Sequence, residues 1–244
     1  MSVTNRETGT RIDQVAARIY RISTPVPANP ELPWGFSFSQ YLIAADQPLL
    51  FHTGPRRLFP LVREAVRAVL PPESLRYVAF SHVEGDECGS LAEWLALAPE
   101  AQPVCSQVAA AVFTRDATDR PVLALRDGEG LDLGGARVVW FDTPHLPHGW
   151  ECGYLGESST RTLLCGDLLT QAGADNPPLT EHDIVGPSER MRAGMDYFAH
   201  NPNTRQQLER LAAFEPRVLA CMHGSAFQGD GRQALLDLAG ALGH

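Results

Sequence analysis

The chain has 244 residues, 44% of them hydrophobic, with 19 prolines and a formal net charge of −9, the make-up of a globular protein long enough to bury a substantial core. The acidic balance argues against a nucleic-acid or anionic-membrane partner, and no apolar run approaches membrane-spanning length while residues 1–11 are polar and lack a secretory pattern, so a cytoplasmic protein is expected. All 20 basic residues are Arg, which excludes a Schiff-base or P-loop lysine, and the five scattered cysteines (Cys88, Cys105, Cys152, Cys165, Cys221) form no C-x-x-C pair, which argues against a disulfide framework or an iron–sulfur module.

Residues 1–12 read as a flexible polar leader. Residues 17–22 alternate as a half-buried strand and 25–33 are a proline-rich loop; 36–45 and 49–52 form two strands around an Asp46-Gln47-Pro48 turn. Thr53-Gly54-Pro55 ends the second strand, and apolar residues at helical spacing predict a helix over 58–70, up to Pro71-Pro72. The β-branched and aromatic run 75–80 predicts a buried strand, and Leu91, Trp94, Leu95 and Leu97 recur at helical spacing behind it. A short strand at 103–105 and an alanine-rich helix at 106–113 follow. A meander is expected over 121–141, with turns at Asp127-Gly128 and Gly134-Gly135. Strands at 152–155 and 162–165 flank a turn at 157–159. Residues 170–189 read as irregular, and so long a loop predicts a functional segment such as a lid. Helices at 188–200 and 203–214, a strand at 217–220 and a helix at 233–242 complete the chain. No linker or repeat interrupts it, so two mixed halves are expected within one domain, residues 1–244.

The chemistry concentrates in Ser81-His82-Val83-Glu84-Gly85-Asp86-Glu87-Cys88-Gly89-Ser90, where a strand hands over to a helix. Such strand ends are where α/β folds place ligands. An imidazole and three carboxylates this close repel one another and lose hydration unless a cation neutralises them; an acidic, solvated loop is the plain alternative. Three more strand ends carry the same residue types: His145 and His148, then Asp167 after Gly166, then His223 before Gly224. Each alone is explained by a helix cap or a loop. Together they point to a metal site. Cys88 and Cys165 flank these positions.

The order His-x-Glu-x-Asp, Pro-x-x-x-His, Gly-Asp and His-Gly resembles the metallo-β-lactamase superfamily over nearly the whole chain, from about Tyr20 onward. His52 stands where that family usually has Asp. Most hydrolases of the superfamily have His at the position of Glu84. Glu there, followed by Asp86 and the Gly89-Ser90 pair, looks like the di-iron domain of flavodiiron proteins and of free-standing oxygen-binding di-iron proteins. The resemblance implies an α/β (α+β) fold, a four-layer αββα sandwich with the metals at one edge between its sheets. Carried over position by position, metal 1 would take His82, Glu84 and His148, metal 2 would take Asp86 and His223, and Asp167 would bridge them. The family has a further His directly after the Asp, and this chain has Glu87. Either Glu87 ligates metal 2, or metal 2 is weakly held, or the side chain turns away. His148 is preferred over His145 because its distance to the following strand fits better. His145, Cys88 and, from the lid, His182 are candidates for a supporting role beside the metals.

Three or four carboxylates against two divalent ions favour iron over zinc, with manganese the other hard ion that suits them. Two functions follow. In the first, a non-haem di-iron protein binds, senses or reduces dioxygen or nitric oxide. Flavodiiron proteins append a flavodoxin domain, for which the chain leaves no room, so electrons would come from a separate donor protein, or the chain would be an oxygen binder. In the second, a dinuclear metallohydrolase cleaves an ester, thioester, lactone or phosphoester with a hydroxide shared between two metals. That enzyme would be expected to have His at positions 84 and 87. The expected partners are a small-molecule substrate or diatomic gas, no nucleic acid and no membrane, and the resemblance also points to a homodimer.

Overall fold

The computed structural model describes residues 2–243. Eight strands form the first sheet: β1 (Ser2–Asn5), β2 (Thr10–Ala16), β3 (Ile19–Val26), β4 (Phe36–Ile43), β5 (Leu49–Phe51), β6 (Tyr77–Ala79), β7 (Gln102–Ser106) and β8 (Leu123–Leu125), side by side in chain order. β1 to β5 pair antiparallel, and β5 to β8 run parallel. The helices between the parallel strands are α1 (Phe59–Arg67), the single turn α2 (Gly85–Cys88), α3 (Leu91–Leu97) and a helical segment made of α4 (Gln107–Ala109), a π-helical stretch (Ala110–Thr114) and α5 (Arg115–Ala117).

The second sheet contains β9 (Gly130–Asp132), β10 (Arg137–Asp142), β11 (Gly153–Glu157), β12 (Thr162–Leu164), β13 (Leu179–Thr180), β14 (Val218–Ala220) and β15 (Ala226–Gln228), in the order β13-β15-β14-β12-β11-β10-β9. α6 (Val185–Gly194), α7 (Thr204–Ala213) and α8 (Gly231–Ala241) cover it.

Strand alternation builds the layers. Leu163 and Leu219 face one way and pack with Leu208, Leu211, Leu235 and Leu238 of α7 and α8. Their neighbours Leu164 and Ala220 face the other way and meet Phe51, Ala79 and Tyr41 of the first sheet. On that sheet's far side, Leu50, Val78 and Phe80 pack with Val62, Val66 and Trp94 of α1 and α3. The result is an αββα sandwich with three apolar layers, as expected. The carboxyl ends of parallel strands β5, β6, β12 and β14 lead into His52, His82, Asp167 and His223 at one edge of it.

Several expectations are corrected. The stretch read as a flexible leader carries β1 and the start of β2; Met1 lies outside the described residues. Its polar side chains conceal a strand that sends Ile12 into the core under α1 and α3 and Val15 into the core between the sheets, with Thr10 and Asp13 buried beside them, and Thr10 Oγ1 lies 3.1 Å from Thr24 Oγ1 across to β3. The expected meander is split, since β8 joins the first sheet beside β7 while β9 and β10 join the second. The stretch 170–189 is not wholly irregular. It contributes β13, paired parallel with β15, and the first residues of α6. That helix stops at Gly194, and the following residues to 203 are non-helical.

Candidate metal centre

The turn after β6 brings four of the candidates together. Cys88 N donates to Glu84 O at 3.0 Å and closes α2, while Thr53 N donates to Glu87 O (2.8 Å) and Gly54 N to Asp86 O (3.1 Å). The turn after β5 thus satisfies the carbonyls that a one-turn helix leaves open. The loop from β10 to β11 delivers His148, and Gly149 allows its approach. Gly149 has φ +75°, and a Cβ there would lie 3.2 Å from the His82 Cβ.

Two groups of donor atoms result: His82, Glu84, His148 and Asp167, and beside them Asp86, Glu87 and His223, the atoms of each lying within 4.8 Å of one another. In the first, Glu84 Oε2 is 3.0 Å from His82 Nε2 and 3.1 Å from His148 Nε2, and the two ring nitrogens are 3.0 Å apart. Asp167 spans both groups. Its Oδ2 lies 3.3 Å from His148 Nε2 and 3.7 Å from His82 Nε2, and its Oδ1 lies 3.3 Å from His223 Nε2. Asp86 Oδ2 is 3.3 Å from the same His223 nitrogen. Glu87 points inward, fully buried, with Oε2 3.9 Å from His82 Nε2.

The far side of each ring is anchored. His148 Nδ1 donates to Tyr197 O and His223 Nδ1 to Ser37 O, both at 2.8 Å. A carbonyl only accepts, so both rings carry hydrogen on Nδ1 and turn Nε2 towards the carboxylates. Phe36 stacks on His223, with centroids 4.1 Å apart. In the metal-free protein, burial works against charge on His148 and His223. The nearby carboxylates of Asp167, with Glu84 or Asp86 respectively, outweigh it and raise both to about 10. His82 is raised further, against burial, by Cys152, Glu84, Glu87 and Asp167. Bonds from His148 and His82 hold Glu84 down to about 2. Burial, Asp167 and Asp86 push Glu87 well above the ordinary carboxyl range.

These residues fit a cation. Among the described residues, both Glu87 oxygens and Asp167 Oδ1 are buried without a hydrogen-bond partner, and two imidazole nitrogens at 3.0 Å repel one another whether both carry protons or both present lone pairs. Oxygen donors outnumber nitrogen donors, the set that hard ions prefer.

Other candidates lie outside the cluster. His145 is exposed, with φ 64°. His182 is exposed and its backbone N–H bonds to Thr180 Oγ1. The start of its segment stays at the site, through Thr170 Oγ1 to Asp167 O (2.7 Å) and Gln171 N to His223 O (3.2 Å). Cys88 lies behind Glu84, where its Sγ donates to the Glu84 carbonyl at 3.2 Å. Burial raises its thiol to about 11, which keeps it unreactive. Sequence reasoning missed Glu151, a buried carboxylate whose Oε1 accepts from Val83 N at 2.8 Å and so steadies the His82 turn. Only its place two residues after Gly149 hinted at this.

Fold and site define a metallo-β-lactamase-type sandwich with a carboxylate-rich, two-part donor cluster at its edge. A family profile described as "ODP family beta lactamase" matches residues 36–224, and the chain belongs to that family. It is 31% identical over 111 residues to the flavo-diiron protein FprA2 of Clostridium acetobutylicum, covering 44% of this chain and 28% of that protein. To the rubredoxin-oxygen oxidoreductase of Megalodesulfovibrio gigas it is 26% identical over 208 residues, covering 81% and 50%. The chain thus spans half or less of the length of these two relatives. Among solved structures, rubredoxin oxygen:oxidoreductase from Desulfovibrio gigas superposes with a TM-score of 0.84 at 17% identity, covering 94% of this chain and 62% of that one. A fragment, residues 1–254, of putative diflavin flavoprotein A 5 from Nostoc sp. PCC 7120 gives 0.82 at 18%, covering 96% of both. At those identities the likeness shows the fold. Among the described residues, no helix is long and apolar enough to cross a membrane.

Proposed function

We propose that this chain, as one domain, holds a non-haem di-iron centre and binds, senses or reduces dioxygen or nitric oxide, with electrons supplied by a separate donor protein. The observation that carries the reading is the Asp167 carboxylate, whose two oxygens face the two donor groups. His82, Glu84 and His148 would hold one ion, and Asp86, Glu87 and His223 the other. When bound, two irons supply paired electrons to a diatomic molecule. The chain's own part is to fix three imidazoles by their far nitrogens and to balance charge with four carboxylates, a donor set that favours iron, or manganese as the other hard ion, over zinc. It also leaves an approach. The side chain of Glu84 is 55% exposed and that of His148 29%, while Glu87 and His223 lie deep. The relatives' names support the same chemistry, one as a flavo-diiron protein and one as an oxygen oxidoreductase acting with rubredoxin.

The test is metal analysis and the visible spectrum of protein made with iron supplied, followed by dioxygen and nitric oxide consumption under a chemical reductant. Two irons per chain with gas binding or turnover are expected. Zinc-loaded protein that ignores both gases and cleaves esters or lactones would overturn the reading.

A further inference from the structure

His52 sits at the end of β5 with φ 66°, a conformation that costs a non-glycine residue about 1–3 kcal/mol and is retained where surrounding contacts impose it. Its ring is buried, stacked on Phe51 at 4.2 Å. Nδ1 lies 3.1 Å from Met222 Sδ, and Nε2 lies 3.0 Å from Ser81 Oγ. Ser81 Oγ in turn is 2.9 Å from His82 Nδ1. The direction of this chain of bonds follows from its far end. A thioether has no hydrogen to give, so His52 Nδ1 donates to Met222. Burial lowers the His52 pKa to about 3, so the ring is neutral and has one hydrogen only. Nε2 must therefore accept, and the Ser81 hydroxyl donates to it. With its hydrogen committed, the Ser81 oxygen accepts from His82 Nδ1. His82 is thereby held with its Nε2 turned towards Glu84, His148 and Asp167, the nitrogen a metal ion would take in place of its proton. The same turn holds the backbone of Asp86 and Glu87 through Thr53 and Gly54, and Met222 directly precedes His223.

We infer that His52 is a positioning residue for the metal centre, setting the ring orientation and tautomer of His82 through the Ser81 hydroxyl and touching the second group through Met222. The inference rests on the reading that His82 holds a metal ion. Partners of this kind tune affinity by roughly 10- to 100-fold.

The test uses the whole chain and ferrous iron alone, titrated without oxygen against a competing chelator. His52→Leu removes the acceptor, and Ser81→Ala breaks the chain without touching His52. Each is expected to weaken iron binding roughly 10- to 100-fold, with the double variant no weaker than either single one, because both cut the same path. His52→Gln, which keeps an acceptor near the Nε2 position, should restore affinity to within a few-fold. A purely structural role would not separate Gln from Leu. Nitrogen NMR of the metal-free protein gives a second reading, with His52 neutral and its hydrogen on Nδ1. Wild-type affinity in His52→Leu, or a His52 hydrogen on Nε2, overturns this inference while the di-iron reading stands. A wild-type chain that takes no iron overturns both.

Discussion

Replacing Glu87 by Gln should make the metal-free protein more stable and the iron-loaded protein less so. Glu87 is wholly buried and neither oxygen has a hydrogen-bond partner among the described residues. Burial, then Asp167 and Asp86, hold its pKa well above the ordinary 4.5. The folded chain therefore keeps a proton that the unfolded chain releases above that pH. Stability conferred on the folded state falls as pH rises, by at most about 1.4 kcal/mol per pH unit, until Glu87 ionises. Glu87→Gln removes this slope while keeping the side chain's size. With ferrous iron present the order reverses, because one oxygen donor is weakened; a 100-fold lower affinity removes about 2.7 kcal/mol of ligand stabilisation. Urea unfolding followed by circular dichroism, across a pH series, with chelator and then with iron under anaerobic conditions, measures both effects. An unchanged pH slope together with an unchanged gain from iron would place Glu87 outside the coordination shell and refute the reasoning.

Asp167→Asn should cost both ions rather than one, since its two oxygens face different groups; metal content that drops by only one ion per chain would argue against a bridge. His148→Ala should weaken iron binding by at least tenfold while His145→Ala leaves it unchanged, as anaerobic iron titration of the two variants will show. Gly149→Ala forces a side chain into φ +75° against the His82 Cβ, which should destabilise the fold by about 1–2 kcal/mol in urea unfolding and lower iron affinity with it.

The layers were legible wherever a strand or helix carried its own apolar signature. Val78 and Phe80, or Leu208 and Leu211, announce a buried face by spacing alone. β2 was not, because Arg11, Asp13 and Gln14 interrupt its apolar pattern, Asp13 being buried all the same, and its partnership with β3 is a backbone matter. The meander over 121–141 misled for a related reason. Turn residues mark where the chain bends, and nothing local says that Asp127-Gly128 crosses from one sheet to the other. The donor cluster was readable because its members sit at strand ends in a recurring order, whereas the inward direction of Glu87 stayed open in the sequence. The anchors were not readable. The carbonyls of Ser37 and Tyr197 belong to no residue type in particular, and the link from His52 to His82 needs coordinates. His182 failed as a candidate because β13 and α6 draw its segment along the edge of the second sheet.

The donors come from both halves of the sandwich: His82, Glu84, Asp86 and Glu87 follow β6 of the first sheet, whereas His148, Asp167 and His223 belong to the second. The apolar seam between the sheets, with Phe51 against Leu164 and Ala220, closes without any ion. At its rim, however, four carboxylates from both leaves crowd together once the imidazoles lose their protons. An ion there acts as a rivet through two plates. Its loss leaves the plates joined and lets one margin gape. Amide exchange after β6, β10, β12 and β14 should then follow metal occupancy, while the amides of β3 and β4 remain slow, so the molecule carries a record of its loading in the looseness of one edge.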